Sequence, residues 1–250
     1  MKKVIFFIGL VVGLINSTLA CSECGCGMSG LQMGLLPQYY NNYIGVRYHF
    51  KKFDTQHTSF GVTNLQHETF SGFDFMFRTK IMNRLRAQAI VPYNINQQQS
   101  INHQFYQSGI GDAIFMLNSN VFNNNRIDSK GNLYQHEIQL SLGAKLPTGS
   151  FEKRIDGELN PNIQLGSGSI DYLALISYRF RFENWISFIE SSYKLNTENK
   201  LKYQFGNRFL ANFRQHYWLN INNFNIIPSI GIQFEKMDKD IENDKLQNIT

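Results

Sequence analysis

The sequence has few charged residues, few prolines and no cysteine after residue 26. Charged residues make up 17 % of the 250 positions, well under the ~25 % of ordinary soluble domains. The net charge is +5, but the 24 lysines and arginines are scattered and form no concentrated basic run. This scatter argues against a basic binding patch, so no nucleic-acid partner is predicted.

Long helical patterns are also missing, because no apolar stripe of 3.6-residue period follows the N-terminal segment. Only Val4–Ile15 forms a long apolar run, and it is shorter than the ~20 residues of a membrane-spanning helix. Lys2 and Lys3 precede this run and small residues follow it, which predicts a secretory signal peptide over 1–20. The exported chain is then either soluble or a β-barrel that crosses a membrane.

Aromatic residues are abundant instead, at 14 % of the chain, with 21 Phe and 12 Tyr. Asn and Gln are frequent as well. An exported chain with many aromatics, many uncharged polar residues and no helices is typical of an outer-membrane β-barrel. A soluble periplasmic sandwich or a lipocalin-like barrel is the alternative.

Alternating apolar and polar residues mark the strands, because successive strand side chains point to opposite faces. In IDYLALISYRFRF (170–182), seven apolar side chains share one face, and Asp171, Arg179 and Arg181 lie on the other with two leucines. Trp185 and Tyr193 share a face near opposite ends of one strand, as interfacial aromatic girdles require. The pattern predicts nine strands, roughly 44–51, 69–81, 85–95, 109–121, 136–146, 170–182, 185–195, 203–219 and 224–235.

Loop lengths predict the orientation, because bacterial barrels have short periplasmic turns and longer external loops. The connections after strands two, six and eight are short, and those after strands one, three, five and seven are longer. This pattern places the N-terminus in the periplasm. The polar stretch 122–135, after strand four, is the exception, since a short turn is expected there.

The predicted fold is therefore all-β, an antiparallel transmembrane β-barrel. Single-chain bacterial barrels have even strand numbers, so the nine visible strands suggest a barrel of 10–12 strands and a sequence truncated at its C-terminus. The predicted organisation is a signal peptide (1–20), a periplasmic cysteine-containing segment and candidate plug (21–42), the barrel (43–236) and an external loop leading to missing strands (237–250).

Several motifs occur in a recognisable order after the signal peptide. They are CGCGMSG…GLLPQYYNNYIGVRYHF, IVPYN (90–94), GIGDA (109–113), LGAKLPTGSF (142–151), LNPNIQLGSGSIDY (159–172) and YQFGNRF (203–209). The set resembles outer-membrane transporter barrels that are often grouped with the meta-pathway phenol-degradation barrel family. The resemblance implies an outer-membrane β-barrel of a Gram-negative-type cell, with a channel for small or hydrophobic solutes.

The predicted lumen carries eleven basic and six acidic residues. An open pore would then prefer anions mildly. Alternatively, these charges pair across strands and hold the wall together, because small barrels fill their interiors with side chains. The residues predicted to line the lumen are Arg47, Lys51, Arg78, Arg86, Asp112, Lys145, Asp171, Arg179, Arg181, Glu190, Arg208 and Arg214.

Cys21, Cys24 and Cys26 follow the predicted cleavage site directly. Three cysteines cannot all pair within one molecule. Four interpretations stay open: lipidation of Cys21, a disulfide between two of the three, pairing between molecules, or a soft metal such as Cu(I). Copper fits better than zinc, because three thiolates without a nearby histidine make an incomplete zinc site. No other cofactor is predicted.

No enzymatic activity is predicted, because no G-x-S-x-G nucleophile motif accompanies the six histidines. GSGS at 166–169 is not a phosphate-binding loop, since no helix follows it. Two functions remain. One is a channel or transporter barrel whose partners are outer-membrane lipid and an unidentified small solute. The other is a closed-lumen structural or copper-handling protein of the outer membrane.

Overall fold

β-Strands form nearly all the regular structure of the chain. The computed structural model describes residues 41–59, 62–99, 104–154, 159–221 and 224–246. Its strands are β1 (Tyr43–Ser59), β2 (Val62–Lys80), β3 (Leu85–Gln99), β4 (Gln104–Ile110), β5 (Ala113–Ile127), β6 (Leu133–Leu146), β7 (Asp171–Phe182), β8 (Trp185–Leu195), β9 (Tyr203–Gln204), β10 (Arg208–Tyr217), β11 (Leu219–Ile221), β12 (Phe224–Ile226), β13 (Ser229–Met237), β14 (Ile241–Glu242) and β15 (Lys245–Leu246). Within the described ranges, the one helical element is the 3-10 turn Pro161–Ile163, and no helix there is long and apolar enough to cross a membrane. The predicted all-β class is confirmed.

One antiparallel sheet contains ten of these strands and curls into a half-barrel. Its order follows the chain, β1-β2-β3-β5-β6-β7-β8-β10-β13, and β4 pairs with β3 beside β5. β4 and β5 run in the same direction along β3, so they act as one long strand that is interrupted at Gly111 and Asp112. The path thus has the nine strands that the sequence predicts, but strand four spans 104–127 and not 109–121.

Pro92 of β3 lies opposite this interruption. Proline cannot donate a ladder hydrogen bond, and inside a sheet it is found at edges or bulges. The Pro92 carbonyl accepts a bond of 2.9 Å from Gly111 N–H. Ala113 N–H donates to Thr148 Oγ1 instead of to β3. The hydrogen-bond ladder along β3 is therefore interrupted opposite Pro92, a residue that has no N–H group to donate.

The strands have a buried inner face and an exposed outer face. On β7, the outward Tyr172 is 56 % exposed and the next, inward residue, Leu173, is 4 % exposed. Arg78 Nη2 on β2 donates to Gln139 Oε1 on β6 at 3.2 Å, although these strands are not neighbours in the sheet. The sheet therefore curls towards its inner face.

One apolar cluster lies among the charged and polar side chains of the inner face. Met116 of β5, Leu173 and Leu175 of β7 and Leu210 of β10 pack together, with Ile114 beside them. The two leucines are those that interrupt the polar side of the predicted strand 170–182. They contact neighbours from other strands of the curled sheet, which explains their place on that side.

The end of the sheet that contains the β2–β3 and β7–β8 turns is here named the turn end, and the opposite end the loop end. The longer connections predicted after strands one and three are wrong, because β1 extends to Ser59 and β2 begins at Val62, and because β3 extends to Gln99 and β4 begins at Gln104. At the loop end, the connections after β6 and β8 are long, as predicted.

Residues 122–135, predicted as a long loop, belong mostly to β5 and β6, and only Asp128–Asn132 form the turn. Asp128 Oδ1 accepts from the backbone N–H groups of Lys130 and Asn132, at 2.8 and 2.9 Å. The bonds that Asn132 donates hold the pKa of Asp128 below its ordinary value. A register shift between Asn120 and Phe122 exchanges the two faces, so simple alternation fails in this stretch.

Two further predictions at the strand ends need correction. The predicted strand 203–219 is divided, because β9 leaves the main sheet and pairs with β14. The predicted tail 237–250 is not simply a loop, since β13 extends to Met237 and β14 and β15 form a hairpin. The short turn predicted after strand eight falls within the small β11–β12 hairpin. The predicted strand 224–235 is therefore divided as well, between β12 and β13.

Gly143 of β6 permits a close backbone approach to β5. A Cβ atom at this position would lie 2.4 Å from the Phe115 carbonyl oxygen and 2.7 Å from Met116 Cγ. We expect Gly143→Ala to lower the free energy of unfolding by about 1–3 kcal/mol, since overpacking moves backbone. Urea unfolding of the purified protein measures this.

Gly45→Ala is the matched control, because a Cβ there meets its nearest atom, Met76 Cε, at 3.4 Å, an ordinary contact. Its urea midpoint should equal or exceed that of the wild type. Equal midpoints for Gly143→Ala and the wild type would contradict the close approach.

Candidate functional site

Opposite charges face each other across neighbouring strands of the inner face. Arg47 on β1 lies opposite Asp74 on β2, and its Nη2 atom is 2.6 Å from Asp74 Oδ2. Glu137 on β6 forms an ion pair with Arg179, its directly opposed partner on β7. Opposed residues on antiparallel strands are close enough for such pairs to stabilise the sheet. These inner charges therefore join neighbouring strands, as one of the two sequence interpretations expects.

The residues predicted to line a lumen come together on this one surface. Most occupy inward positions of the strands, and Asp112 lies at the interruption between β4 and β5. They are Arg47 and Lys51 on β1, Arg78 on β2, Arg86 on β3, Asp112 before β5, Lys145 on β6, Asp171, Arg179 and Arg181 on β7, Glu190 on β8, and Arg208 and Arg214 on β10.

A buried ionic cluster of Asp112, Lys145 and Asp171 lies at the loop end of the inner face. Lys145 Nζ is 3.0 Å from Asp112 Oδ2 and 2.5 Å from Asp171 Oδ2. Asp171 is fully buried, and the ammonium of Lys194 lies 3.9 Å from its Oδ2 atom. Buried charges persist only when they are paired and hydrogen-bonded. The cluster therefore depends on every member being present.

Three sequence motifs meet at the ionic cluster: GIGDA, LGAKLPTGSF and LNPNIQLGSGSIDY. Asp112, from the first motif, accepts a bond from Gly149 N–H of the second at 3.0 Å. It also accepts bonds from Ser167 N–H and Oγ of the third, at 2.7 and 2.9 Å. Sequence reasoning noted the motifs but missed that they touch. The available signal was that each motif lies where a strand meets a loop at the same end of the sheet.

Two glycines make this approach possible. A Cβ atom on Gly166 would lie 2.3 Å from Asp112 Oδ1 and 2.7 Å from the Gly149 carbonyl oxygen. A Cβ atom on Gly149 would lie 2.8 Å from Gly166 Cα. No larger residue fits either position unless the backbone moves.

The connection between β6 and β7, residues 147–170, is here named the inner loop. The sequence predicts it as one of the longer, external connections, but residues 163–165 lie against the inner face. Ile163 is fully buried and packs with Phe70 of β2 and Phe105 of β4. Asn96 Nδ2 donates to the Ile163 carbonyl oxygen at 3.0 Å. The inner loop therefore covers part of the inner face near the loop end.

A cavity of about 470 Å³ lies between the inner loop and the inner face. Ile90 and Ile114 contribute apolar surface from β3 and β5, and Leu165 does so from the inner loop. Arg47 and Lys145 are among the charged residues that line it. The cavity thus has apolar and cationic walls.

The outer face carries exposed apolar side chains along the sheet, and polar residues such as Lys52 and Gln97 replace them near the loop end. A contiguous exposed apolar patch larger than a few hundred Å² marks a surface that contacts another protein or a membrane. Every strand of the main path contributes to this one. Its members include Val46, Phe75, Val91, Leu117, Leu142, Ile176, Ile189, Phe213 and Ile232.

Aromatic side chains form a row on the outer face at the turn end. The rings of Trp185 and Tyr217 are 4.7 Å apart between centroids, and those of Tyr134 and Phe182 are 4.9 Å apart. Tyr193 lies on the same face of β8, eight residues beyond Trp185. At ~3.3 Å per residue this separation is about 26 Å along the strand. At the ~40° tilt of barrel strands it corresponds to roughly 20 Å across the membrane, on the scale of the ~25 Å apolar band of outer-membrane barrels.

The N-terminal predictions fall mostly outside the described residues. The signal peptide, Cys21, Cys24, Cys26 and nearly all of the candidate plug lie there. Of segment 21–42, Asn41 accepts a bond from Arg86 Nε at 2.9 Å and Asn42 accepts one from Lys80 N–H at 2.8 Å. The chain therefore enters the sheet at the turn end.

A search of the described residues for metal-binding groups and comparisons with known proteins give no further information on function. In the part of the chain that the structure describes, no group of three or more His, Cys, Asp or Glu side chains could hold a metal ion. The sequence matches no protein-family model and no curated protein. The resemblance to transporter barrels therefore stays a prediction.

Removal of the Lys145 ammonium tests the ionic cluster. Lys145→Met leaves two buried carboxylates without their shared cation, so the free energy of unfolding should fall by about 3–5 kcal/mol. Urea unfolding gives the value. Adding Asp112→Asn and Asp171→Asn to this variant should recover part of the loss, because the unpaired charges are then gone.

Lys202→Met is the control, because Lys202 pairs with Glu198 at the exposed surface. Its urea midpoint should match that of the wild type. An undiminished midpoint for Lys145→Met would show that the cluster does not stabilise the fold.

Proposed function

We propose that this chain is an outer-membrane β-barrel protein that forms a channel for small solutes. The distribution of residues between the two faces carries the proposal. Apolar side chains are exposed on the outer face, and charged side chains are buried on the inner face. A soluble β-sandwich shows the reverse, because its buried face packs an apolar core. Lipid around the outer face would satisfy this arrangement.

Further features support the membrane assignment. Between the two edge strands β1 and β13, each strand of the main path is hydrogen-bonded to a strand on both sides, as hydrocarbon surroundings require of backbone groups. The aromatic row and Tyr193 fit the two interfaces of a bilayer. The predicted signal peptide and the resemblance to outer-membrane transporter barrels agree with this location.

The cavity and the inner loop support a channel rather than a plain wall. In a closed barrel, the inner loop would narrow the passage at the loop end, and the cavity would be the widened part beneath it. No described residue supplies an enzymatic role in this proposal. The solute crosses the membrane and is not transformed.

A copper-handling protein with a closed lumen is the second candidate. The spacing of Cys21, Cys24 and Cys26 favours it, since soft thiolates select Cu(I). The paired charges on the inner face also favour a filled interior. Mass spectrometry of the N-terminal peptide, isolated from membranes with and without copper, distinguishes a copper-loaded cluster from a lipid on Cys21 or a disulfide.

A charge placed on the outer face tests the membrane location. Ile189 lies midway between Trp185 and Tyr193 and is 49 % exposed. In a lipid bilayer, Ile189→Arg should lower the free energy of unfolding by about 2–4 kcal/mol. Unfolding by denaturant in lipid vesicles measures the loss.

Ile221→Arg is the matched control, since Ile221 is 50 % exposed but lies in the β11–β12 hairpin beyond the aromatic row. It should change the free energy by at most ~1 kcal/mol, as near an interface. Equal effects of the two substitutions would count against a lipid-facing outer face.

Ion conductance tests the channel. Purified protein in a planar lipid bilayer should give discrete conductance steps. A protein that inserts, by the vesicle measurement above, but leaves the bilayer sealed to ions would replace the channel with the closed-lumen candidate.

A further inference from the structure

The outer face has a groove beside the β2–β3 turn, here named the alanine groove, and basic residues lie next to it. We propose that the groove binds an acyl chain of an anionic phospholipid, with the lipid phosphate at the basic residues of the turn end. The inference rests on the proposed membrane location and adds one specific lipid to it.

The alanine groove exists because two small residues lie between large ones. Ala87 and Ala89 are successive outward residues of β3, and Ala89 lies opposite Phe77 on β2 and Phe115 on β5. The two phenylalanines are 45 % and 49 % exposed, so they form the sides of a groove of about 610 Å³. The outward residues that line it are Ile44, Phe77, Thr79, Ala87, Ala89 and Phe115.

This lining suits a hydrocarbon chain. Five of the six outward residues have side chains of carbon and hydrogen alone. In a membrane the gain comes from close packing, because lipid chains around the protein are as apolar as the groove. A chain lying between Phe77 and Phe115 makes more such contacts than one against a flat part of the face.

The part of the turn end beside the alanine groove is basic. Thr79 of the groove is followed by Lys80, and Ala87 is preceded by Arg86, which lies opposite Lys80. Residues 75–111 include four basic residues and no acidic one, and the adjoining segments 41–46 and 113–120 carry no charge. These segments therefore place four positive charges at one site on the rim of the sheet.

Two of the four cations are available to a ligand. Lys80 and Arg84 are exposed, and neither side chain makes a hydrogen bond or an ion pair with another described residue. Arg86 donates to the neutral side chain of Asn41. A phosphate at this rim would therefore meet cations that no carboxylate of these segments neutralises. A lipid with net negative charge fits better than a zwitterionic one, whose own cation offsets its phosphate.

The test uses the full chain, purified in a neutral detergent, and three probes. Dioleoyl phosphatidylglycerol carries both features, dioleoyl phosphatidylcholine has no net charge and glycerophosphoglycerol has no acyl chain. Native mass spectrometry gives the dissociation constant of the first bound probe molecule. We expect phosphatidylglycerol to bind about tenfold or more tightly than either of the others, because each of them lacks one favourable contact.

Removal of the two available charges tests the phosphate site. Lys80→Gln combined with Arg84→Gln should weaken phosphatidylglycerol binding about tenfold to thirtyfold, at about fivefold for each charge, and leave phosphatidylcholine binding unchanged. Lys200→Gln combined with Lys239→Gln is the matched control, since both lysines are exposed in connections at the loop end. This control should bind all three probes as the wild type does.

A larger side chain in the alanine groove tests the acyl-chain site. Ala89→Leu should weaken the binding of both phospholipids about threefold or more, because the displaced chain atoms lose their contacts. Ala174→Leu is the control, since Ala174 is an exposed outward residue of β7 outside the groove. Its affinities should match those of the wild type.

Each other result overturns the proposal. Equal affinity for the two phospholipids would mean a groove that does not distinguish charge, and equal weakening by the two pairs of charge substitutions would mean an effect of net charge alone. Unchanged binding by Ala89→Leu would mean that the lipid lies elsewhere. If Ile189→Arg shows its expected loss in vesicles, these results reject the lipid site and keep the membrane location. Equal effects of Ile189→Arg and Ile221→Arg would reject the membrane location and the lipid site with it.

Discussion

The ammonium of Lys145 is the contact on which the loop end of the molecule depends. It lies between the carboxylates of Asp112 and Asp171, and all three groups are buried. Asp112 in turn holds the inner loop through Gly149 and Ser167. One cation therefore keeps three segments of the chain together. Burial of these charges costs free energy, because the desolvation of each charge has to be offset by interactions with its partners.

The two faces of the sheet differ in the kind of contact that their side chains make. On the inner face, charges and amides are paired across strands, so the wall is held by specific contacts between named partners. On the outer face, apolar residues contact only their neighbours on the same face, as the ring pair of Trp185 and Tyr217 does, and their identity matters less than their lack of charge. A bilayer would accept any of these apolar side chains, whereas the inner face accepts few substitutions.

The strands could be predicted from the sequence because their signal is local. A period of two is visible in IDYLALISYRFRF without knowledge of any neighbour, and the facing of Asp171 and Arg179 followed from it. The interruption at Gly111 and the register shift near Asn120 could not be predicted in this way, since each depends on what the next strand offers. Simple alternation therefore misplaced the start of strand four and the turn at Asp128.

The candidate site was predictable only in part, for the same reason. Its charged residues were identified from strand facing, but the inner loop was not placed. Ile163 and Leu165 carried a weak signal, as apolar residues within a polar connection. Nothing local to them indicates that Asn96, which is distant in sequence, donates a hydrogen bond to the Ile163 carbonyl oxygen.

That distance also bears on the order of folding. Strands adjacent in sequence are adjacent in the sheet, so the wall can grow one hairpin at a time through local contacts. The inner loop instead meets β3 across a separation of 67 residues, between Asn96 and Ile163. Contacts of long sequence separation form late, because loop closure must precede them. We therefore expect the wall to assemble before the inner loop covers the cavity.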